Sequence, residues 1–337
     1  MQYKSVKGFT GAAQLGILLV FMGLGLILAS GVQFIIGMQL VPAGTPMDKM
    51  PVLMQKALFD PQNVGYARLA QVLGTLFTFF IPAVLFSWVC NSRSSFWLGF
   101  NRYLNFQQIL IGFGFIFFAN IIAAPLEEMT KAVIAHLPSI DKIAKELEKA
   151  YTDQVAVLSN LKSWPEFIIA LFIMAFFPAL FEEVMFRGTL QNLLVRWWKS
   201  PLLGIVAASL IFSFIHMSVY LFASRAILGF VLGLLYHKTK NIWVNVIAHF
   251  LNNAFALIQL FILSNQKPQA VLSKEDLSKQ DLSLPWWISI LGVVILVLLF
   301  RALNKYSIAN REKIDAQEQL LLAKENVYHP FANTENN

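Results

Sequence analysis

The stretch EFIIALFIMAFFPALFEEVMFR, from Glu166 to Arg187, decides how the chain folds. From Phe167 to Phe181 every residue is apolar, and the apolar run resumes at Leu193, Leu194 and Val195. A spanning helix needs roughly 20 apolar residues, because about 30 Å of hydrocarbon is crossed at 1.5 Å per residue. The stretch therefore reads as a transmembrane helix that carries Glu182, Glu183 and Arg187 within it. A charge in a bilayer costs roughly 2.5–3.5 kcal/mol on insertion scales and more by other estimates, so such residues persist only with partners or a task.

The rest of the chain has the same character. Of 337 residues 57% are apolar, 13% are charged and 30 are Phe. That is about half the charge of a soluble domain, and more apolar surface than one water-soluble core of this size hides. A disordered chain, a nucleic-acid-binding module and an ordinary cytosolic enzyme are excluded. The formal charge of +7 fits basic loops facing anionic lipid. Cys90 is the one cysteine, so no internal disulfide forms.

Outward from the opening stretch, eight segments read as spans: 12–38, 69–90, 108–126, 166–187, 201–221, 223–237, 241–264 and 285–304. The fold class is thus an all-α polytopic membrane protein of about eight helices. The fifth and sixth segments are separated only by Ala223-Ser224-Arg225. The pairs Trp197-Trp198 and Trp286-Trp287 fit interfacial anchors. The first segment is too long for the roughly 7–15 residues of a signal h-region and reads as a retained anchor.

With the N-terminus inside, Lys and Arg divide thirteen to twelve between inner and outer loops. The inner loops before the tail are short and free of acids, so both termini are expected in the cytoplasm, with the chain in the cell membrane. Five regions follow: N-terminal helices (1–130), an amphipathic outer loop (131–165), a polar-bearing membrane core (166–265), a last span with its loop (266–304) and a polar tail (305–337). In the outer loop Ile140, Ile143, Leu147, Tyr151, Val155 and Leu158 recur at helical spacing. This helix either lies on the membrane surface or covers a site between spans. The tail from Ile308 to Glu325 reads as a water-exposed helix ending in disordered residues.

Polar groups concentrate on three segments. Glu183 and Arg187, at i,i+4, share a helix face and can pair. Glu182 points about 100° away and is left out of that pair. Pro178 can bend the segment just ahead of the carboxylates. Phe212 precedes His216 by one turn and can wall a pocket. Asn245, His249 and Asn253 form a stripe at successive i+4 steps. His216 lies about 22 Å from Pro201, and His249 about 12 Å from Asn241, along their helices. If span four runs on to Val195, Glu182 lies about 20 Å from its inner end. The three groups can then meet.

A free carboxylate and a histidine around one water make a general base for hydrolysis. His249 and Asn253 can donate to an oxyanion. Alternatively Glu182, His216 and His249 can hold zinc with an open position, although the His-Glu-x-x-His signature is absent. Taken singly, each Glu or His is as readily a satisfied structural group. Glu127 and Glu128 follow Pro125 at a span end, where an interfacial place is the default.

Glu182-Glu183-x-x-x-Arg187, Phe212-x-x-x-His216 and His249-x-x-x-Asn253 resemble the three ordered motifs of the CPBP intramembrane protease family, which includes type II CAAX prenyl endopeptidases and Abi proteins. The resemblance covers roughly 165–265. It implies an all-helical core, commonly of eight spans, and peptide-bond hydrolysis in or beside the membrane. It implies Glu182 as the water-activating base assisted by His216, His249 and Asn253 as oxyanion stabilisers, and Glu183 and Arg187 as supports of the helix geometry. The family has been described both as metalloproteases and as glutamate-dependent proteases. The metal-independent form is favoured, since Asn253 and two histidines suit an oxyanion site, so no cofactor is expected. The expected partners are a membrane-associated peptide or protein substrate and the lipid bilayer, not nucleic acid. A non-enzymatic membrane scaffold or regulator and a proton-coupled transporter are the rival readings.

Overall fold

The computed structural model describes residues 3–158, 161, 163–266 and 286–327. Lys162, the loop bearing Lys267, Lys274, Glu275, Asp276, Lys279 and Asp281, and the end of the tail lie outside the described residues. Ten helices and one short 3-10 turn, Ser95–Leu98, account for the regular structure among the described residues: α1 (Gly11–Leu40), α2 (Met50–Leu58), α3 (Pro61–Cys90), α4 (Phe106–Ile134), α5 (Pro138–Leu158), α6 (Trp164–Trp198), α7 (Pro201–Ile215), α8 (Phe222–Thr239), α9 (Ile242–Gln266) and α10 (Trp286–Val327).

Their ends follow local chemistry. Thr10, Asn105, Ser163 and Ser200 each accept a hydrogen bond from a first-turn backbone N–H, satisfying donors that the helix itself leaves free. Pro165 and Pro201 stand in first turns, where a missing N–H does no harm. Among the described residues six helices are long and apolar enough to cross a membrane: α1, α3, α4, α6, α9 and α10. Their outer faces show Ile27, Ile35, Phe113, Phe117, Val294 and Leu298 to the surroundings, as lipid-facing positions require.

The fifth expected span is shorter than its apolar run. α7 has 15 residues, about 22 Å, and stops at Ile215. Residues 216–221 then turn, with Met217 at φ 51°, a left-handed conformation uncommon for a side-chain-bearing residue. The run 201–221 is therefore not one helix, because this turn interrupts it beside His216. The sixth expected span is α8, of 18 residues. It falls outside the six.

The fourth span is longer than its first reading. α6 runs unbroken for 35 residues to Trp198, and Lys199 leaves it at φ 52°. Glu182 lies about 27 Å from its start and about 24 Å from its end, near mid-depth. Wider π turns occupy Leu171–Phe176 and Val184–Gln191, so the two carboxylates stand between them. The first precedes Pro178, whose ring would clash with the carbonyl four residues back in a regular helix. α3 repeats the device, with a π turn at Leu76–Phe80 ahead of Pro82.

The core gathers around the second half of α6. Val184, Met185 and Phe186 pack with Leu18 of α1, Phe79 and Phe86 of α3, Phe212 of α7 and Val246 of α9. α4 lies against α8, α9 and α10, sealing a second cluster around Ile111, Phe115, Leu235 and Leu303. Loops assigned to the inner side meet at one end of the bundle. Asn101 Nδ2 donates to the Lys240 carbonyl at 2.8 Å, and Arg196 pairs with Glu318 at 2.8 Å.

That ion pair corrects the reading of the tail. Residues 305–327 continue the last span as one helix of 42 residues, and one of its faces is covered rather than water-exposed. Ile314 is buried against Phe96 and Trp97, and Arg311 donates to the His237 carbonyl at 3.2 Å. The apolar residues Ile314, Leu321 and Leu322 of this amphipathic stretch find partners in the loop before α4.

Gly188 tests the packing of α6. A Cβ there would collide with the Leu98 carbonyl oxygen, which is backbone and cannot swing away. Gly188→Ala is expected to destabilise the bundle by about 1–3 kcal/mol, the usual penalty for overpacking. Thermal unfolding in detergent, read by exposure of the buried Cys90 thiol to a fluorescent dye, should show a lower midpoint. An unchanged midpoint contradicts the close approach.

Candidate active site

The site is built on Glu183, which is fully buried. Its carboxylate accepts from Arg187 Nη1 at 2.9 Å, from Asn245 Nδ2 at 3.1 Å and from His249 Nδ1 at 2.8 Å. Arg187, 2% exposed, also donates through Nη2 to the Gly229 carbonyl at 3.1 Å. Asn245 donates to the Leu232 carbonyl at 2.8 Å. The i,i+4 pair on α6 thereby ties α8 and α9 to α6. A charge-assisted network of this kind is the condition on which buried charges are tolerated.

Glu182, on the neighbouring face, meets the two imidazoles. Its Oε2 lies 3.8 Å from His216 Nε2 and 3.9 Å from His249 Nε2. Each ring has its other nitrogen engaged: His216 Nδ1 lies 2.7 Å from the Phe212 carbonyl, and His249 Nδ1 is on Glu183. Both partners only accept, so each Nδ1 carries a proton. Each Nε2 is then turned toward Glu182 as a lone pair, or as an N–H in the imidazolium. The separations are too long for direct hydrogen bonds and suit a bridging water set to one side.

Phe212 does more than wall the pocket. Arg187 lies over its ring at 4.7 Å, a cation–π contact. The His216 ring lies 4.6 Å from the Phe212 ring, centroid to centroid. Asn253 lines the same cavity. Its Oδ1 accepts from Asn252 Nδ2 at 3.4 Å, and Asn252 Oδ1 accepts from Asn120 Nδ2 of α4 at 2.6 Å. Among the described residues the Asn253 NH₂ group donates to no partner.

The cavity holds about 370 Å³ and is lined by Glu182, His216, His249, Asn253, Arg225 and Phe212 among others. Tyr151, Gln154, Val155 and Leu158 of α5 also line it, so the amphipathic outer helix covers the cavity. Several contacts hold it there. Arg68 Nη2 donates to the Leu158 carbonyl at 3.1 Å, Gln154 Nε2 to Gln71 Oε1 at 2.9 Å, and the Tyr220 hydroxyl to Asp141 at 2.8 Å. Lys145 and Tyr220 hold the Asp141 carboxyl below its ordinary value. This tether is therefore charged at neutral pH and is lost only as pH falls through that lowered value.

The structure brings all seven motif residues to one place, with Asn253 at the cavity wall rather than in the network. The sequence reading left out Asn245 as a site residue, and it missed the Glu183–His249 bond and Arg225. The i+4 stripe through Asn245 was the available signal for the first. Nothing in the sequence pairs Glu183 with His249, which lie 66 positions apart. Glu127 pairs with Lys131 at 2.6 Å within α4 and stands apart from the site. Among the described residues no group of three or more His, Cys, Asp and Glu side chains is arranged to hold a metal ion. Donors at about 2.1 Å from one zinc ion stand roughly 3.4 Å apart, closer than the separations between Glu182 and the two imidazoles.

Comparison with known proteins bears on the same helices. Residues 164–255, which contain every motif residue, match the family model described as type II CAAX prenyl endopeptidase Rce1-like. The resemblance drawn from the motif residues is thus shown over that segment. Over 103 residues the chain is 31% identical to "Putative membrane peptidase YdiL" of Bacillus subtilis (strain 168), covering 31% of this chain and 41% of that protein. Over 128 residues it is 30% identical to "Uncharacterized protein YpbD" of the same organism, covering 36% of this chain and 61% of that one. The chain therefore matches less than two thirds of the length of either relative. No solved structure matches it significantly.

Removing one partner of the buried network should be severe. Arg187→Leu leaves Glu183 short of its guanidinium and is expected to destabilise by about 3–5 kcal/mol. Arg187→Lys, which cannot reach both Glu183 and the Gly229 carbonyl with a planar fork, should restore part of that loss. The same thiol-exposure melt reads both. A wild-type midpoint for Arg187→Leu contradicts the network's structural role.

Proposed function

We propose that this protein is an intramembrane endopeptidase that hydrolyses peptide bonds of membrane-associated peptides or proteins. The observation that carries the reading is the approach of Glu182 Oε2 to the Nε2 atoms of His216 and His249 around one cavity. Glu182 takes a proton from water as its oxygen bonds to the scissile carbonyl carbon, and the carbonyl electron pair moves to the oxygen. His216 shares the water and orients it. The oxyanion's electron pair then re-forms the carbonyl as the carbon–nitrogen bond breaks, and the proton held by Glu182 passes to the departing amine.

The Glu183–His249 bond gives the oxyanion its donor. Held through Nδ1 by the Glu183 carboxylate, the His249 ring turns its Nε2 to the cavity, where the protonated ring donates Nε2–H. With the Asn253 amide it supplies two donors where negative charge develops, the arrangement that contributes most in acyl transfer. This chemistry calls on no cofactor. The apolar outer faces suit an integral membrane protein; the cell membrane is the proposed location, with both termini on the cytoplasmic side, where the basic, acid-free short loops gather.

The test uses the full chain in lipid nanodiscs with a pool of fluorogenic, lipid-anchored peptides. Glu182→Ala is expected to lower the initial rate roughly 10²–10⁴-fold while the melting midpoint stays near wild type. Unchanged cleavage rejects Glu182 as the base. Absence of any cleavage by the wild type, together with an intact cellular phenotype for Glu182→Gln, favours a non-enzymatic scaffold. A zinc-dependent version of the same protease predicts loss of activity on chelation and its return with zinc. The mechanism above predicts activity insensitive to chelator.

A further inference from the structure

One cation in the cavity has no part in the mechanism. Arg225, in the first turn of α8, lines the same wall as Glu182, His216 and His249. Its Nη1 reaches the His216 carbonyl at 3.4 Å, and its guanidinium carbon lies 5.0 Å from the Tyr151 ring centroid. Among the described residues no carboxylate comes within ion-pair distance of it. The acids near it are otherwise engaged. Glu148, one turn before Tyr151 on α5, accepts from the Ser218 hydroxyl at 3.5 Å. Asp141 is held by Tyr220 and by Lys145 at 2.5 Å.

A guanidinium presents five donors in a rigid planar fork. A single long bond to a carbonyl and a ring contact leave most of these donors free. Arg225 is half-buried on the cavity wall, so these donors are open to a ligand in the cavity. Arg187, buried in the core, has a carboxylate partner in Glu183 and a second bond to the Gly229 carbonyl, so the contrast lies within one structure. Tyr151 approaches from the covering helix and sets its ring against the guanidinium, a cation–π contact that uses none of the N–H groups.

We propose that Arg225, framed by Tyr151, is a carboxylate-binding subsite of the catalytic cavity and a specificity-determining residue for the substrate. This inference rests on the endopeptidase reading for its role and deepens it. Because the guanidinium touches the backbone of His216, a carboxylate bound there is held next to the imidazole that orients the water. The bond cleaved then lies within a few residues of that carboxylate. Two sources supply the same chemistry: a free C-terminus, or an Asp or Glu side chain.

Binding of short lipid-anchored probes to the full chain in nanodiscs tests the subsite without requiring turnover. The probes are N-dodecanoyl-Leu-Leu as the free acid, the same compound as its C-terminal amide, and N-dodecanoyl-Asp-Leu amide. Wild type is expected to bind at least one carboxylate-bearing probe about tenfold more tightly than the neutral amide, as a charge-assisted bond implies. The preferred acid identifies the source. Arg225→Met should bring the preference to within about twofold by weakening the acid alone, and Arg225→Lys should keep part of it. The Lys variant keeps the test decisive if the Met variant does not fold.

Equal binding of acid and amide by wild type overturns the proposal. So does an equal loss for all three probes in Arg225→Met or Arg225→Lys, which is what a purely structural role would give. The two levels of the account separate cleanly. Acid-selective binding without cleavage of any peptide rejects the endopeptidase reading and leaves the subsite standing. Glu182-dependent cleavage without acid preference does the reverse.

Discussion

A carboxylate sealed from solvent must be answered on every side, and Glu183 sets the terms for the rest of this bundle. Its partners come from its own helix (Arg187) and from α9 (Asn245 and His249). Arg187 in turn holds the Gly229 carbonyl of α8. Three helices that could otherwise slide in an apolar medium are thereby fixed in rotation and depth. Apolar packing alone does not supply this in lipid, since acyl chains solvate Leu and Phe as well as another helix does. The network fixes the register, and the Phe-rich packing around Val184, Met185 and Phe186 fills the space that the register leaves.

Function follows from that fixation by one residue's difference. Glu182 sits a helical step away from Glu183, so locking Glu183 into the core turns Glu182 into the cavity. Locking His249 by Nδ1 turns its Nε2 toward Glu182. The break after Ile215, with Met217 in a left-handed conformation, puts His216 at a helix end rather than inside one, where its ring lies against Phe212 and meets the same carboxylate. The π turns on both sides of Glu182 and Glu183 have a similar effect on α6. Such turns are frequent at functional sites because they re-aim side chains without ending the helix. α5 and its polar tethers then cover the cavity on the side where Arg225 is found.

Much of this was legible in the sequence. Intramembrane charges are rare enough that Glu182, Glu183, Arg187, His216 and His249 stood out against their apolar surroundings. The i,i+4 spacing correctly paired Glu183 with Arg187 and separated Glu182 from both. The helix count was harder. Apolarity does not mark a turn whose backbone is satisfied locally, so the run 201–221 hid the stop at Ile215. The covered face of the last helix was hidden for the opposite reason. Its charged residues read as a solvated tail, while Ile314 and Glu318 had partners far away in sequence. Arg225 looked like a loop residue because its role depends on Tyr151 of another helix and on the absence of a nearby acid, neither of which is a local property.

The central claim is geometric: one water is shared by Glu182 and the two Nε2 atoms, with His249 gripped from behind by Glu183. A cryo-electron microscopy map of the chain in nanodiscs, at a resolution that shows ordered solvent, tests it most directly. The account predicts density for a water within hydrogen-bond reach of Glu182 and both imidazoles, and the Glu183 carboxylate on His249 Nδ1. A Glu182 side chain turned toward lipid, or a His249 ring released from Glu183, would contradict it.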